Sequence, residues 1–196
     1  WEEGKHTEEE IMAADEVIKS PGVREDAPIV VKIREKEIPV ISEIEFAGRY
    51  AGGKKICVTG SNGKTTVTNL IYHILKKAGK NVAMTGNVGN SFAMAVAQGS
   101  YDYYVIELSS FQLDDMYSFK ADIAVLMNIT PDHLDRYGYK FQNYIDSKFR
   151  ITRNQTLSEF LIYWADDPVI RNELQKKEYG MTLLPFSAES KEGMTA

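Results

Sequence analysis

Residues 55–66 read KICVTGSNGKTT, a glycine-rich segment that follows a short apolar strand. A helix is predicted after it, because apolar side chains recur three and four positions apart at Val67, Leu70, Ile71, Ile74 and Leu75. Glycines between a strand and a helix let backbone N–H groups surround phosphate oxygens, and the helix N-terminus adds positive potential. We therefore expect the segment to bind a nucleoside triphosphate through these residues: Gly60, Ser61, Asn62, Gly63, Lys64, Thr65 and Thr66.

The spacing of the glycines is unusual. The common phosphate-binding loop has four residues between its first glycine and its Gly-Lys pair, whereas only two separate Gly60 from Gly63. A string this short can arise by chance, so the strand before it and the helix after it carry much of the argument. Within the loop, Lys64 supplies a positive charge and the Thr65 hydroxyl can hold Mg²⁺. The segment predicts nucleotide binding and leaves the reaction open.

The composition is that of a soluble globular protein. The chain has 196 residues, 43% hydrophobic and 26% charged, and a net charge of −5 with both signs interspersed. This pattern predicts no broad basic face for nucleic acid, and neither a membrane-spanning run nor a signal peptide is recognisable. The single cysteine, Cys57, is expected in the core. We expect a cytoplasmic protein and, from the abrupt ends at Trp1 and Ala196, a fragment of a longer one.

From residue 54 onward, predicted strands alternate with predicted helices, which argues for an α/β fold with a mostly parallel sheet and helices on both faces. The strands are expected at 55–59, 80–85, 103–108, 122–127 and 159–164, and the helices at 64–78, 88–97 and 140–152. A shorter unit precedes the break at residues 51–53, with helices expected at 8–14, 27–35 and 42–50 and strands at 15–19 and 39–41. In that unit, Ser42 and Glu45 are spaced as a capping box.

Polar clusters follow three of the predicted strands: the glycine-rich loop, residues 107–112 and residues 128–136. Ligands of parallel sheets bind beyond the carboxyl ends of the strands. If these strands are neighbours, Glu107 and His133 converge beside the terminal phosphate, where a carboxylate and an imidazole can hold Mg²⁺. Taken singly, Glu107 could be a solvated strand end and His133 a surface residue. Their common edge favours the ligand interpretation.

Lys148 lies on the apolar stripe of its predicted helix, which Phe141, Tyr144, Ile145 and Phe149 define. The simpler interpretation, and the favoured one from sequence, is a stem that packs along the stripe while the ammonium reaches water. The alternative is a buried amine whose neutral form can react with CO₂.

Four segments together resemble the Mur ligase family, the ATP-dependent amide-bond ligases of peptidoglycan precursor synthesis. They are TGSNGKTT at 59–66, ELSSFQL at 107–113, NITPDHLDR at 128–136 and DSK at 146–148. The FQL after the two serines, KSPG at 19–22 and ISEIE at 41–45 are similar to the D-glutamate-adding members. One departure is Trp164, which stands where relatives usually carry Asn.

The resemblance implies a role for each matching residue. Gly63, Lys64, Thr65 and Thr66 would bind ATP phosphates and a first Mg²⁺, and Glu107, His133 and a carbamylated Lys148 would organise a second. The muramoyl-alanine end of the substrate would contact Asn87, Ser109, Gln112 and His133.

The resemblance also implies a domain plan and a reaction. Residues 1–47 would be the C-terminal part of a Rossmann-like UDP-substrate-binding domain, and 48–196 an incomplete central ATP-binding domain, with the amino-acid-binding domain outside the chain. The implied reaction joins D-glutamate to UDP-N-acetylmuramoyl-L-alanine through an acyl phosphate in a monomeric enzyme. The fragment alone would be inactive.

Two other functions stay open from the sequence. A folylpolyglutamate synthetase-like ligase shares the loop and the ATP chemistry, although the segments at 19–22 and 111–113 speak against it. A non-catalytic ATP-binding module, whose site controls assembly with partners, would tolerate loss of Glu107.

Overall fold

The computed structural model describes residues 2–188 and contains two sheets. The first unit is short and carries a two-stranded parallel sheet, in which Val17 pairs with Val40 and Lys19 with Ser42. Its elements are α1 (Glu8–Met12), β1 (Val17–Lys19), α2 (Pro28–Glu35), β2 (Val40–Ser42) and α3 (Glu43–Gly48). The predicted elements of this unit are all present, with ends that shift by a few residues.

The second unit is a six-stranded, wholly parallel sheet in the order β4-β5-β3-β6-β7-β8. Its strands are β3 (Lys54–Thr59), β4 (Val82–Gly86), β5 (Tyr103–Glu107), β6 (Ile123–Leu126), β7 (Phe160–Trp164) and β8 (Thr182–Phe186). Its α-helices are α4 (Lys64–Lys77), α5 (Phe92–Gln98), α6 (Ser110–Asp114), α7 (Phe141–Phe149) and α8 (Pro168–Leu174), and 3₁₀ turns occupy Leu134–Tyr137 and Arg150–Thr152. The predicted parallel α/β sheet is confirmed, whereas α6, α8 and β8 are additions to the prediction.

The strand order places the helices on both faces of the sheet, as predicted. The chain runs from β3 outward to β4 and then back across the sheet, and right-handed crossovers therefore put α4 on one face and α5 to α8 on the other. The main core lies on the second face, where Cys57, Ala124 and Leu161 pack with Phe92 and Tyr144. Cys57 is fully buried and burial raises the pKa of its thiol, so the predicted core cysteine is confirmed.

The apolar stripe of α4 is less buried than its periodicity predicts. Leu70 and Ile74 are 54% and 55% exposed, and Thr68 is the buried residue of this helix. The same sheet face is open over the outer strands, where Phe160 and Leu184 are also partly exposed. A single helix covers β3 to β5 on this face and leaves its own outer flank in solvent.

The predicted capping box at α3 is only half formed. The Ser42 hydroxyl accepts the N–H of Glu45, as expected. The buried Glu45 carboxylate instead accepts the backbone N–H groups of residues 117–119 at 2.8–3.0 Å. Three amide donors satisfy a buried carboxylate better than one, and the contact ties the first unit to the loop after α6. Between residues 2 and 188, no helix is both long enough and apolar enough to cross a lipid bilayer.

Candidate active site

The three polar clusters meet at the carboxyl edge of the sheet, because β3 lies between β5 and β6. Val58 pairs with Glu107 on one side, and Thr59 pairs with Leu126 on the other. The loop after β3 therefore lies between the segments that begin at Glu107 and Asn128. This is the edge at which parallel sheets bind their ligands, and the neighbouring strands that the prediction required are present.

Two glycines shape the loop for close approach to a ligand. Gly60 has φ +154°, and a Cβ there would come within 2.9 Å of Met127 Cβ. Gly63 has φ +82° and caps α4, whose first turn contains Lys64, Thr65 and Thr66. The N–H groups that begin a helix have no partners within it, so they can donate to an anion.

Ser61 and Asn62 hold the loop in place from the side of β6. The Ser61 hydroxyl donates to the Thr130 carbonyl at 2.9 Å and lies 3.1 Å from the Tyr144 hydroxyl. The Asn62 N–H donates to the Asn128 side chain, which in turn donates to the Asn62 carbonyl. The side chains of Ser61 and Asn128 therefore have a structural task, and the loop meets a ligand with its backbone.

The side chains of Lys64 and Thr65, at the start of α4, form hydrogen bonds within the predicted phosphate-binding site. The Lys64 ammonium donates to the carbonyls of Gly60 and Ser61, at 2.9 and 3.0 Å, and so folds over its own loop. The Thr65 hydroxyl donates to one Glu107 oxygen at 2.8 Å, and Asn87 donates to the other at the same distance. Glu107 is only 1% exposed. A buried carboxylate and a hydroxyl thus lie side by side at the helix N-terminus.

Lys148 is buried and does not reach water, so the favoured sequence interpretation is wrong. The residue is 1% exposed, its Nζ lies 3.2 Å from Thr59 Oγ1, and the Tyr144 ring centroid is 5.3 Å away. Burial, and then the nearby charge of Lys64, lowers the pKa of Lys148 to about 7. A large fraction of the amine is therefore neutral near pH 7 and can act as a nucleophile.

His133 lies on the outer side of the same site. Its side chain is 54% exposed, 3.5 Å from an Asp132 carboxylate oxygen, and its ring is 5.2 Å from that of Phe111. A cavity of about 160 Å³ joins it to the buried residues and is lined by Lys64, Asn87, Ser109, Ser110, Phe111, Asp132, His133, Tyr144 and Lys148. This volume suits a phosphoryl or carboxylate group better than a whole nucleotide. A larger cavity, of about 690 Å³, lies away from the loop, between residues 146–155 and the segment 173–181 that precedes β8.

Ser109 and Gln112 form a capping box at the start of α6. The Ser109 hydroxyl accepts the N–H of Gln112, and the Gln112 side-chain oxygen accepts the N–H and the hydroxyl of Ser109. Ser109 also lines the cavity, as its predicted substrate contact requires. Gln112 is 6% exposed and its oxygen is engaged, so its predicted substrate contact would fall to the amide nitrogen.

The donor set suits a metal that also binds phosphate. Within residues 2–188, no group of three or more His, Cys, Asp or Glu side chains lies close enough to hold an ion. Thr65 and Glu107 supply hard oxygen donors instead. Mg²⁺ is usually held by one or two carboxylates, water and substrate phosphates rather than by an all-protein cage. The residues present therefore fit Mg²⁺ that arrives with a nucleotide.

Comparison with known proteins identifies the family of this chain. The family model described as the Mur ligase middle domain matches residues 58–196. The chain belongs to the Mur ligase family. The Mur ligase match covers the glycine-rich loop, Glu107, His133 and Lys148, which are the residues that the structure gathers at the sheet edge.

Individual relatives agree with this family. The UDP-N-acetylmuramoylalanine–D-glutamate ligase of Bacteroides fragilis is 63% identical over 196 residues, which are 100% of this chain and 44% of that protein. This chain thus spans less than half the length of that Mur ligase. The Thermotoga maritima MurF ligase in complex with ADP has a TM-score of 0.57 at 19% identity, over 92% of this chain and 52% of its own.

A solved structure with a different name also has a fold similar to that of this chain. The Escherichia coli FolC in complex with DHPP and ADP has a TM-score of 0.57 at 15% identity, over 87% of this chain and 55% of its own. At these identities the likeness is one of fold alone. The fold alone does not identify the reaction. The reaction has to be inferred from the site and from the relative that is 63% identical.

Proposed function

We propose that this chain is the ATP-binding part of a ligase that joins D-glutamate to UDP-N-acetylmuramoyl-L-alanine. The observation that carries the proposal is the buried Glu107 carboxylate, held by Thr65 and Asn87 at the N-terminus of α4. A buried carboxylate next to a glycine-rich loop is expected where a metal-bound triphosphate will sit. The 63% identity to the Bacteroides fragilis ligase supports the choice of substrates.

The nucleotide is proposed to bind through the loop backbone, with Lys64 moving from the loop carbonyls to the phosphates. The ADP in the named complexes of MurF and FolC, which share this fold, supports nucleotide binding. Thr65 would hold a first Mg²⁺, and Glu107, His133 and a carbamylated Lys148 a second. With Mg²⁺ bound, its charge would offset the repulsion between the substrate carboxylate and the triphosphate.

Carbamylation is proposed because Lys148 has a neutral amine in a buried place. The amine nitrogen would attack the carbon of CO₂, forming a C–N bond and releasing one proton to water. A neutral amine would thereby become an anionic oxygen ligand, which explains how a lysine can serve at a site beside Lys64. The 3.2 Å contact with Thr59 holds the amine where this ligand would form.

The proposed reaction has two steps. A carboxylate oxygen of the muramoyl-alanine substrate attacks the γ-phosphorus, and ADP leaves. The amine of D-glutamate then attacks the acyl carbon, loses a proton, and expels phosphate. Asn87, Ser109, Gln112 and His133 are proposed to orient the acyl substrate, so that this chain supplies positioning and charge compensation. Residues 1–47 are proposed to belong to the domain that holds the UDP end.

Phosphate release tests the proposal and separates it from its alternatives. The full-length protein that carries this chain is assayed with ATP, Mg²⁺ and UDP-N-acetylmuramoyl-L-alanine, comparing D-glutamate with L-glutamate, L-alanine and diaminopimelate. We expect release with D-glutamate alone. Release with another amino acid keeps a ligase and refutes the substrate. Nucleotide binding without acceptor-dependent release refutes the ligase and favours a binding module.

A further inference from the structure

A chain of four polar groups crosses the packed region behind the site. The Tyr137 hydroxyl lies 2.9 Å from Asp114 Oδ2 and 3.2 Å from Ser147 Oγ. The Ser147 hydroxyl donates to the Ser110 carbonyl at 3.0 Å. Tyr137, Ser147 and Ser110 are all buried. We call these four residues the Tyr137 network.

The Tyr137 network joins three of the segments that carry site residues. Tyr137 ends the 3₁₀ turn that begins directly after His133. Ser110 begins α6, directly after Ser109, and Ser147 precedes Lys148 on α7. The hydrogen bonds that define the network join residues outside the phosphate-binding loop, so they act on the wall of the cavity that Ser110 and the His133 segment form.

A count of protons shows how the network is satisfied. Three oxygen–oxygen contacts need three protons, and the Tyr137 and Ser147 hydroxyls supply two. All three contacts are hydrogen bonds at the same time only when Asp114 supplies the third proton. A protonated Asp114 donates to Tyr137, Tyr137 donates to Ser147, and Ser147 donates to the Ser110 carbonyl. With an ionised Asp114, the Tyr137 proton turns to the carboxylate and the contact with Ser147 has none.

The surroundings of the half-buried Asp114 raise its pKa above the ordinary value of an aspartate, which makes proton retention easier. Burial raises the pKa of Asp114 and outweighs the opposing effects of its two hydroxyl neighbours and of the Arg150 charge. The next residue, Asp115, pairs with Lys19 and Arg34 of the first unit instead. The two consecutive aspartates at the end of α6 therefore have different partners.

We propose that Asp114, Tyr137 and Ser147 are positioning residues that hold the Lys148 amine and the His133 segment in register, with Asp114 as a hydrogen-bond donor. The role assigned to Lys148 rests on the proposed function. The physical reason is that a nine-residue helix such as α7 can rotate or slide by a fraction of an ångström unless a directional contact fixes it. Apolar packing alone sets the buried face of a helix less sharply than a hydrogen bond does.

Two substitutions in the full-length protein test this network. Tyr137→Phe removes the hydroxyl and keeps the ring that stacks on Phe111. We expect kcat for phosphate release to fall about tenfold or more, with the Kd for Mg-ADP changed less than about twofold. The bicarbonate concentration that half-saturates the carbamate signal of Lys148, followed by ¹³C NMR, should rise. Tyr139→Phe is the matched control, since Tyr139 is 79% exposed.

Asp114→Asn and Asp114→Ala test the proton assignment. The Asn amide can donate to Tyr137 as a protonated carboxyl does, so Asp114→Asn should keep kcat near the wild-type value, whereas Asp114→Ala should match Tyr137→Phe. Equal losses in both Asp114 variants would overturn the donor role.

An unchanged kcat in Tyr137→Phe, or parallel losses of kcat, Mg-ADP affinity and melting temperature with an unaltered carbamate signal, would overturn the positioning role. A wild-type protein without any carbamate signal would refute the proposed chemistry of Lys148. In that case, a lower kcat with unchanged Mg-ADP affinity in Tyr137→Phe would still support the positioning role, and an unchanged kcat would still overturn it.

Discussion

Replacing Lys148 with methionine should stabilise the folded protein, and more so at low pH. The pKa of Lys148 is about 7 in the folded protein against an ordinary value of 10.5. Below pH 7 both states carry the proton, and the folded state bears the full cost of a buried charge. Between pH 7 and 10.5 the unfolded state binds the extra proton, so stability rises with pH and the cost shrinks.

The size of the effect follows from this difference. At about 1.4 kcal/mol per pKa unit, the buried charge costs roughly 5 kcal/mol at pH 6 and roughly 2 kcal/mol at pH 9. Methionine loses the contacts with Thr59 and the Tyr144 ring, worth about 1.5 kcal/mol together. Thr59 keeps its hydrogen bond to the Leu108 carbonyl, so no polar group is left without a partner by the change. We expect a net stabilisation of about 3 kcal/mol at pH 6 and under about 1 kcal/mol at pH 9.

Urea denaturation in CO₂-free, metal-free buffer at both pH values measures this difference. Lys77→Met, at an exposed position in the last turn of α4, is the control and should change stability by less than about 0.5 kcal/mol at either pH. If Lys148→Met destabilises the protein at pH 6, or has the same effect at both pH values, the ammonium is not buried as described. The argument for a reactive neutral amine would then fail.

Three further substitutions have defined outcomes. Glu107→Gln should lower phosphate release at least about a hundredfold with nucleotide binding retained, and wild-type turnover would contradict its role as a metal ligand. Glu45→Ala leaves three amide donors at 117–119 without their acceptor, and should cost about 3 kcal/mol or more in urea denaturation; a loss under about 1 kcal/mol would contradict that clamp. Gly86→Ala should lower the melting temperature by several degrees, because φ is +101° and the new Cβ would lie 2.3 Å from the Glu107 carbonyl; an unchanged melting temperature would refute this.

The strands and helices were predictable because hydrophobic periodicity and the turn residues that end each element are local features of the sequence. Each of the five strands and three helices expected after residue 54 is present, although β4 and α5 begin later than expected. α5 starts at Phe92 because residues 87–90 form a loop, in which the Gly86 N–H donates to the Asn90 carbonyl. α6 has five residues, too few to show a helical period. β8 contains Pro185, which argues against a central strand and suits the sheet edge that it occupies.

The position of the site at the edge of the sheet was predictable, whereas the burial of its side chains was not. Strand ends that carry Glu107 and the loop could be assigned to one edge from the α/β pattern. Periodicity placed Lys148 on the inner face, but a face does not specify how far the side chain lies from water. Asn128 and Tyr144 hold the loop through contacts between residues far apart in the sequence, which local patterns do not predict. The one sequence signal was the position of Asn128 directly after a predicted strand. The Trp164 indole donates to Asp166, and nothing in the structure explains why tryptophan stands there.

The most direct test of a phosphate-binding site at the glycine-rich loop is calorimetric titration of the full-length protein with Mg²⁺ and a non-hydrolysable ATP analogue. Lys64→Ala is compared with Lys54→Ala, which removes an exposed lysine at the opposite end of the same strand. Our account predicts wild-type affinity in Lys54→Ala and a loss of at least about a hundredfold in Lys64→Ala, since a charge-assisted contact with phosphate is worth about 3 kcal/mol. Equal affinity in the wild type and Lys64→Ala would contradict it.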